Sequence, residues 1–108
     1  MLNQEQLACI RACNECVVAC LQCASECLKE SDPKAMARCI ALAMECADFC
    51  RMTASSVAMG GEHINAVCAL CAVVCQTCAN ECAKHPMAQC QICADACEKC
   101  AAVCRAMS

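Results

Sequence analysis

Residues 9–27 read CIRACNECVVACLQCASEC, with a cysteine at every third or fourth position. Side chains that are separated alternately by three and four residues lie on one face of an α-helix. The stretch therefore predicts a helix whose inward face, normally formed by Leu or Ile, consists of thiols. The same spacing recurs along the 108-residue chain, which contains 19 cysteines.

Turn-forming residues divide the chain into predicted helices at about 3–30, 33–59, 62–84 and 86–106. The sequence SDP at 31–33 offers an N-cap followed by a proline at the first helical position. The pair GG at 60–61 ends the second helix, and KHP at 84–86 separates the third from the fourth. Because these connections are short, neighbouring helices should run antiparallel. The expected fold is all-α, an up-down-up-down four-helix bundle with a Cys-lined core, forming one domain over 1–108.

An internal repeat supports this division. Residues 71–82 (CAVVCQTCANEC) resemble residues 16–27 (CVVACLQCASEC) at a constant offset of 55, and 93–97 (CADAC) resemble 46–50 (CADFC) more weakly. The chain therefore reads as two related helical hairpins. The second helix carries the fewest thiols, and its inward positions are Met36, Cys39, Ala43, Cys46, Cys50, Thr53 and Val57.

Charge and hydropathy exclude several classes of partner. Eight basic against eleven acidic side chains give a net charge of -3, without the clustered basic face that nucleic-acid binding requires. The N-terminus has no basic and apolar segments of a secretory signal, and the strongly apolar run 66–75 is too short to span a bilayer. We expect a cytosolic protein with reduced thiols and with neither nucleic-acid nor membrane partners.

Stripes of thiols on four helices are suited to soft metal ions. Side chains at i, i+3 and i+4 lie about 5–6 Å apart at Cβ, so two thiolates can bracket one ion and a neighbouring helix can add a third sulfur. Cu(I) accepts such coordination, and one Cu(I) per bridging thiolate leaves the core almost neutral. Tetrahedral zinc with about four thiolates leaves about two uncompensated negative charges per site, which are costly to bury. The pattern therefore favours multiple Cu(I) ions per monomer.

Other interpretations of the cysteines fit less well. The odd number of cysteines and the lack of an export signal disfavour a disulfide framework. Continuous helices differ from the loops that usually hold iron–sulfur clusters, and no βαβ pattern supports a thioredoxin-like motif. No Ser/His/Asp arrangement indicates catalysis, so we expect a binding protein rather than an enzyme. A general thiolate buffer for Zn(II) or Cd(II) and a thiol redox protein remain the alternatives.

The thiol stripes, such as Cys13 to Cys27 and Cys68 to Cys82, resemble those of the bacterial copper storage proteins, in particular the cytosolic type. The resemblance covers all four helices, and Ala43 and Thr53 depart from it. It implies a bundle filled with many Cu(I) ions for copper homeostasis and detoxification. It also implies a homo-oligomer of several bundles, often a tetramer, and auxiliary Met or His ligands near an open end. A copper chaperone or an apo-cuproprotein would be the acceptor of released copper.

The chain direction assigns different residues to the two ends of the bundle. One end, called here the loading end, gathers Glu30, Met36, His85 and Met87. The other, called here the closed end, gathers Leu2, Val57, Ile64 and Met107. Met36, His85 and Met87 are candidate ligands that pass Cu(I) inward. The alternative is that His85 is an exposed turn residue and that the two methionines only pack, and the sequence leaves both interpretations open.

The predicted thiol ligands are Cys9, Cys13, Cys16, Cys20, Cys23, Cys27, Cys39, Cys46, Cys50, Cys68, Cys71, Cys75, Cys78, Cys82, Cys90, Cys93, Cys97, Cys100 and Cys104. With about one Cu(I) per thiolate, a monomer should hold on the order of 15–20 ions.

Overall fold

A computed structural model describes all residues, 1–108. It contains a 3₁₀ turn over Pro33–Met36 and four α-helices: α1 (Gln4–Cys27), α2 (Ala37–Ala58), α3 (Ile64–Cys82) and α4 (Ala88–Met107). The predicted all-α class and the order of the four helices are confirmed.

The helices form a four-cornered bundle in chain order. Each helix packs against its two neighbours, so that α1 lies against α2 and α4, while α3 lies against the same two helices from the opposite corner. The molecule measures 47 × 18 × 17 Å, with its long axis set by the length of the helices. All four inward faces therefore line one narrow, elongated core.

Local signals explain where α1 begins and α2 ends. Asn3 and Gln6 form a capping box, in which the Gln6 backbone N–H donates to Asn3 Oδ1 (2.8 Å) and the Asn3 backbone N–H donates to Gln6 Oε1 (2.9 Å). At the far end of α2, Gly60 adopts φ +65°, the left-handed conformation that terminates helices and favours glycine. The predicted stop at the glycine pair is therefore confirmed.

The start of α2 differs from the expectation. The side chain of Asp32 makes no capping hydrogen bond, and Pro33 opens a 3₁₀ turn rather than an α-helix. The backbone of Asp32 (φ -127°, ψ 83°) lies outside the usual conformation of an N-cap residue. Regular α-helix therefore begins at Ala37, four residues later than predicted.

The core consists of thiols and small side chains. All 19 cysteines have no exposed surface. Alanines such as Ala47, Ala79 and Ala101 are also fully buried beside them. Because Cys and Ala are short, the helices can approach closely enough to bring sulfur atoms from different helices into contact.

Helices α1 and α3 are long and apolar enough to cross a membrane by length and composition, with mean hydropathies of 1.4 and 1.3 over an 18-residue window. In each helix the cysteines supply the buried stripe at the centre of the bundle. The hydropathy of these helices comes both from the core-facing thiols and from exposed aliphatic residues such as Val18 and Val73.

Candidate metal centre

Sulfur atoms touch one another across the loading end of the core. Cys39 on α2 and Cys82 on α3 have the shortest sulfur–sulfur separation, 3.4 Å. Cys27 on α1 lies 3.6 Å from Cys90 on α4, and Cys23 lies 3.8 Å from Cys39. These contacts join all four helices at the ends where α1 and α3 finish and α2 and α4 start.

The network continues through the middle of the bundle. Cys97 lies 3.6 Å from Cys16 and 3.6 Å from Cys20, linking α4 to α1. Cys46 lies 3.6 Å from Cys75 and 3.8 Å from Cys16, linking α2 to α3 and α1. The thiol stripes therefore meet along the axis instead of forming separate pairs.

Toward the closed end the contacts are carried mainly by α1 and α4. Cys13 lies 3.7 Å from Cys100 and 4.0 Å from Cys104, while Cys50 of α2 lies 3.9 Å from Cys100 and from Cys71. Beyond Cys50, helix α2 contributes no further thiol.

Several groups of four sulfur atoms lie within 4.8 Å of one another. They include Cys13/Cys71/Cys100/Cys104, Cys16/Cys46/Cys50/Cys75, Cys16/Cys20/Cys46/Cys97, Cys20/Cys78/Cys93/Cys97 and Cys23/Cys27/Cys39/Cys90. A metal–thiolate bond of about 2.3 Å separates two sulfurs by about 4.0 Å in trigonal and about 4.6 Å in linear coordination. The contacting sulfur pairs, 3.4 to 4.0 Å apart, lie at or slightly below the trigonal separation, so a trigonal ion would push the closest sulfurs apart by about 0.6 Å and a linear ion would push them further.

Two of these groups contain no residue of α2, and the inward positions of that helix explain why. Ala43 lies one turn from Cys46 toward the loading end, at the level of the group formed by Cys20, Cys78, Cys93 and Cys97. Thr53 lies one turn beyond Cys50 toward the closed end. The side chains of Ala43 and Thr53 are both fully buried. The hydroxyl of Thr53 donates to the Phe49 carbonyl at 2.7 Å, so it satisfies its hydrogen bond within α2.

All cysteines are free thiols in this structure. The closest sulfur pair is 3.4 Å apart, whereas a disulfide bond is about 2.05 Å long. The core is thus arranged as a set of ligands rather than as a covalent framework.

Burial and mutual hydrogen bonding shift the acidity of the thiols in opposite directions. Burial raises the pKa of Cys68 and that of Cys90 to about 12, and it also raises the pKa of Cys39. Hydrogen bonding with Cys104 and then with Cys13 lowers the pKa of Cys100 to about 6. A negative charge in this core therefore requires a neighbouring donor or a bound cation to stabilise it.

The candidate auxiliary ligands lie at the loading end in different environments. Met36 is 3% exposed and belongs to the core cluster, and Met87 is half-buried against the same cluster. The His85 side chain is 18% exposed, and its Nε2 lies 2.9 Å from Glu81 Oε2. His85 is therefore partly buried and held by a carboxylate, unlike a freely exposed turn residue.

Sequence reasoning did not single out Glu81 or its cationic partners Arg38 and Lys84. Glu81 is buried, and its Oε1 accepts a hydrogen bond from Arg38 Nη1 (2.6 Å) and lies 3.5 Å from Lys84 Nζ. The two cations keep their own side chains largely exposed while reaching the buried carboxylate. The available signal was the spacing of Glu81 four residues before His85, which brings the two side chains together at the end of α3.

The closed end is apolar inside and polar at its rim. Val57 is fully buried, Ile64 and Met107 pack against the core, and Leu2 is half-buried. His63 is exposed at this end, in a shallow surface depression that Asn3, Glu5, Gln6 and Glu62 also line.

Comparison with known proteins yields one family. The family described as "Copper storage protein" matches residues 2–108. The cysteine-rich protein YhjQ of Bacillus subtilis (strain 168) is 41% identical over 84 residues, covering 78% of each chain. The Cu(I)-bound copper storage protein BsCsp3 is 42% identical with a TM-score of 0.92, covering 96% of this chain and 98% of its own. A cytosolic copper storage protein from Streptomyces lividans, loaded with five coppers, is 34% identical with a TM-score of 0.93, covering 96% and 92%.

Proposed function

Because this chain belongs to the copper storage protein family, we propose that it stores many Cu(I) ions as thiolate complexes inside its bundle. The protein acts in the cytosol, where it lowers free copper and serves copper homeostasis and detoxification. The single observation that carries the proposal is the sulfur network, whose separations of 3.4 to 4.0 Å extend from one end of the bundle toward the other. The whole chain, 1–108, works as one copper-binding domain.

We propose all 19 cysteines as ligands, shared between neighbouring ions. Cys16, Cys46 and Cys97 each belong to two of the four-sulfur groups described above. A bridging thiolate that serves two Cu(I) ions keeps the metal and thiolate charges nearly equal, and the high thiol pKa values caused by burial favour this neutralised state. A zinc or cadmium buffer would leave more negative charge in the same buried core.

The chain belongs to a family of storage proteins. We therefore also propose that it has no catalytic activity.

We further propose that copper enters and leaves at the loading end. Met36, His85 and Met87 supply thioether and imidazole groups beside the outermost thiols, Cys27, Cys39, Cys82 and Cys90. The same end would deliver Cu(I) to a copper chaperone or to an apo-cuproprotein. Apolar packing around Val57 makes the opposite end unsuitable for a charged ion.

Self-association is the last part of the proposal. Val18 (57% exposed) and Ile92 (60% exposed) line a shallow groove between α1 and α4, and Leu21 (42% exposed) lies one turn along from Val18. Exposed apolar side chains of this kind are typical of contacts between subunits. A homo-oligomer such as a tetramer should be visible by light scattering of the purified protein, and Val18→Glu should dissociate it.

A Cu(I) titration against a competing chelator tests the storage function. We expect saturation on the order of 15–20 ions per monomer, because each thiolate can neutralise about one Cu(I). Saturation at four or five ions would contradict a continuous column. Metal analysis of protein from copper-fed and zinc-fed cells is the companion measurement, since the zinc-buffer alternative predicts zinc in both samples.

A further inference from the structure

Every thiol is closed off from solvent in this structure, so copper reaches the sulfur atoms only when part of the protein moves. All 19 cysteines have no exposed surface, including the outermost thiols of the loading end. A chelator or a protein that delivers Cu(I) by ligand exchange must bring the ion into contact with a sulfur atom. The segment that opens at the least free-energy cost therefore determines where copper enters.

Residues 28–36, called here the lid, connect α1 to α2 across the loading end and are weakly held. Met36 is their only buried side chain, and it belongs to the same buried cluster as the thiols. The hydrogen bonds of the lid are local, such as that from the Ala35 N–H to the Asp32 carbonyl at 3.2 Å, and the side chain of Asp32 caps no helix. A segment with one buried side chain and only local hydrogen bonds opens readily.

The other connection at this end, residues 83–87, is tied more firmly to the bundle. Gln91 of α4 donates through Nε2 to the His85 carbonyl at 2.7 Å, and Nε2 of His85 lies 2.9 Å from the buried Glu81 of α3. Met87 is half-buried against the core. Opening this connection would break contacts with both α3 and α4, so the lid is the weaker of the two covers.

The closed end has no comparable segment. Its buried cover, Val57, lies inside α2 (Ala37–Ala58) and moves only if that helix unwinds. Met36, by contrast, lies in the 3₁₀ turn Pro33–Met36, outside the α-helices. Arg38 donates to Glu81 of α3 at 2.6 Å and so holds the start of α2 in place. The lid is therefore free to swing away while the four helices and their thiols keep their positions.

We propose that the lid is a gate, whose opening withdraws Met36 from the core and exposes the outermost thiols of the loading end. This inference rests on the proposed function and deepens it by naming the element that controls the entry and release of copper. The closed gate also shields the empty thiols, since a buried thiol is inert. Met36 is itself a candidate ligand, and its removal would loosen the gate and withdraw a ligand together. The test therefore changes residues that bind no copper.

Alkylation of the reduced, metal-free protein with a limiting amount of iodoacetamide, mapped by mass spectrometry, tests the gate without copper. Cys90 at the loading end and Cys68 toward the closed end form a matched pair, because burial raises the pKa of both thiols to about 12. Local opening costs less than global unfolding, so we expect Cys90 to be modified at least about tenfold faster than Cys68. Equal rates, or faster modification of Cys68, would overturn the proposal.

Two matched glycine substitutions assign the opening to the lid. Ala35→Gly in the lid and Ala83→Gly in the other connection each replace an exposed alanine. Because glycine destabilises a helical turn, Ala35→Gly should raise the rate of Cys90 modification about two- to fivefold and leave that of Cys68 unchanged. Ala83→Gly should leave both rates near the wild-type values. An unchanged Cys90 rate in Ala35→Gly, an equal response to Ala83→Gly, or a parallel rise at Cys68 would each overturn the proposal.

Stopped-flow loading with Cu(I) tests the consequence for storage. Ala35→Gly should take up Cu(I) about two- to fivefold faster than the wild type with the same final capacity, because the thiols are unaltered. An unaltered uptake rate would show that copper enters elsewhere and would overturn the gate. A wild-type protein that shows the expected alkylation pattern but binds no Cu(I) would instead contradict the proposed function and leave the gate standing.

Discussion

The two ends of the thiol column differ in which helices contribute. At the loading end every helix supplies a terminal thiol, and the charged pair Glu81–Arg38 ties α2 to α3 beside them. At the closed end α2 supplies Thr53 and then Val57, both without exposed surface. The difference between the two ends arises mainly from α2, which carries three cysteines, whereas α4 carries five.

This difference gives the bundle a chemical direction. Two methionines and a histidine lie at one end, whereas the other is closed by Leu2, Val57, Ile64 and Met107, of which only Met107 carries a sulfur. An ion that leaves water must exchange its hydration for ligands at every step, and the proposed entry through Met36, His85 and Met87 would supply them at the loading end. The asymmetry between the ends supports the proposal that the bundle fills from the loading end.

The largest effect should come from removing the auxiliary ligands at the loading end. The triple change Met36→Ala, His85→Ala and Met87→Ala should slow both Cu(I) uptake and release by about tenfold, since these groups provide the first soft ligands. Final capacity should stay almost the same because the thiols remain. Stopped-flow transfer from a Cu(I) chelator measures the rates.

A matched change at the closed end is the control for this experiment. Val57→Ala with Ile64→Ala shortens packed side chains at the closed end but removes no ligand, so loading should stay near the wild-type rate. Unaltered rates in the triple variant, combined with slow loading in the closed-end variant, would reverse the assignment of the two ends.

A smaller effect, expected to be equal at both ends, concerns alkaline pH. Burial raises the pKa of Cys68, toward the closed end, and of Cys90, at the loading end, from 9.0 to about 12. The folded protein then retains these protons where the unfolded chain loses them. The stability contributed by these two thiols is fully present below about pH 9 and is lost between about pH 9 and pH 12.

Thermal unfolding of the metal-free protein across this pH range measures that loss. Cys68→Ala and Cys90→Ala should each weaken the alkaline decline by a similar amount, because the same physical cause acts on both thiols. A decline that responds to Cys90→Ala alone would show that the two ends differ in solvation as well as in ligands.

The sequence predicted the fold and the thiol core because one rule, the alternating spacing of three and four, governs both. It also predicted that Ala43 and Thr53 interrupt the row of thiols on α2, since these residues occupy positions of the same stripe. It did not predict the buried Glu81, because its burial depends on a tertiary partner, Arg38, 43 positions away in the chain. The 3₁₀ start of α2 was missed for a related reason, since SDP at 31–33 resembles a capping sequence but lacks its hydrogen bond.

The smallest expected effect tests whether α2 limits the closed end. Thr53→Cys places a thiol one turn beyond Cys50, at the level where α1, α3 and α4 carry Cys9, Cys68 and Cys104. Because Thr53 is already fully buried and a thiol is of similar size, the change should fold normally and raise the capacity by about one Cu(I). Thr53→Val is the control, since it keeps the volume and adds no ligand. If both variants fold and Thr53→Cys binds no more Cu(I) than Thr53→Val, a missing fourth sulfur does not limit the number of ions at this end. The packing around Val57 would then determine where the column of ions stops.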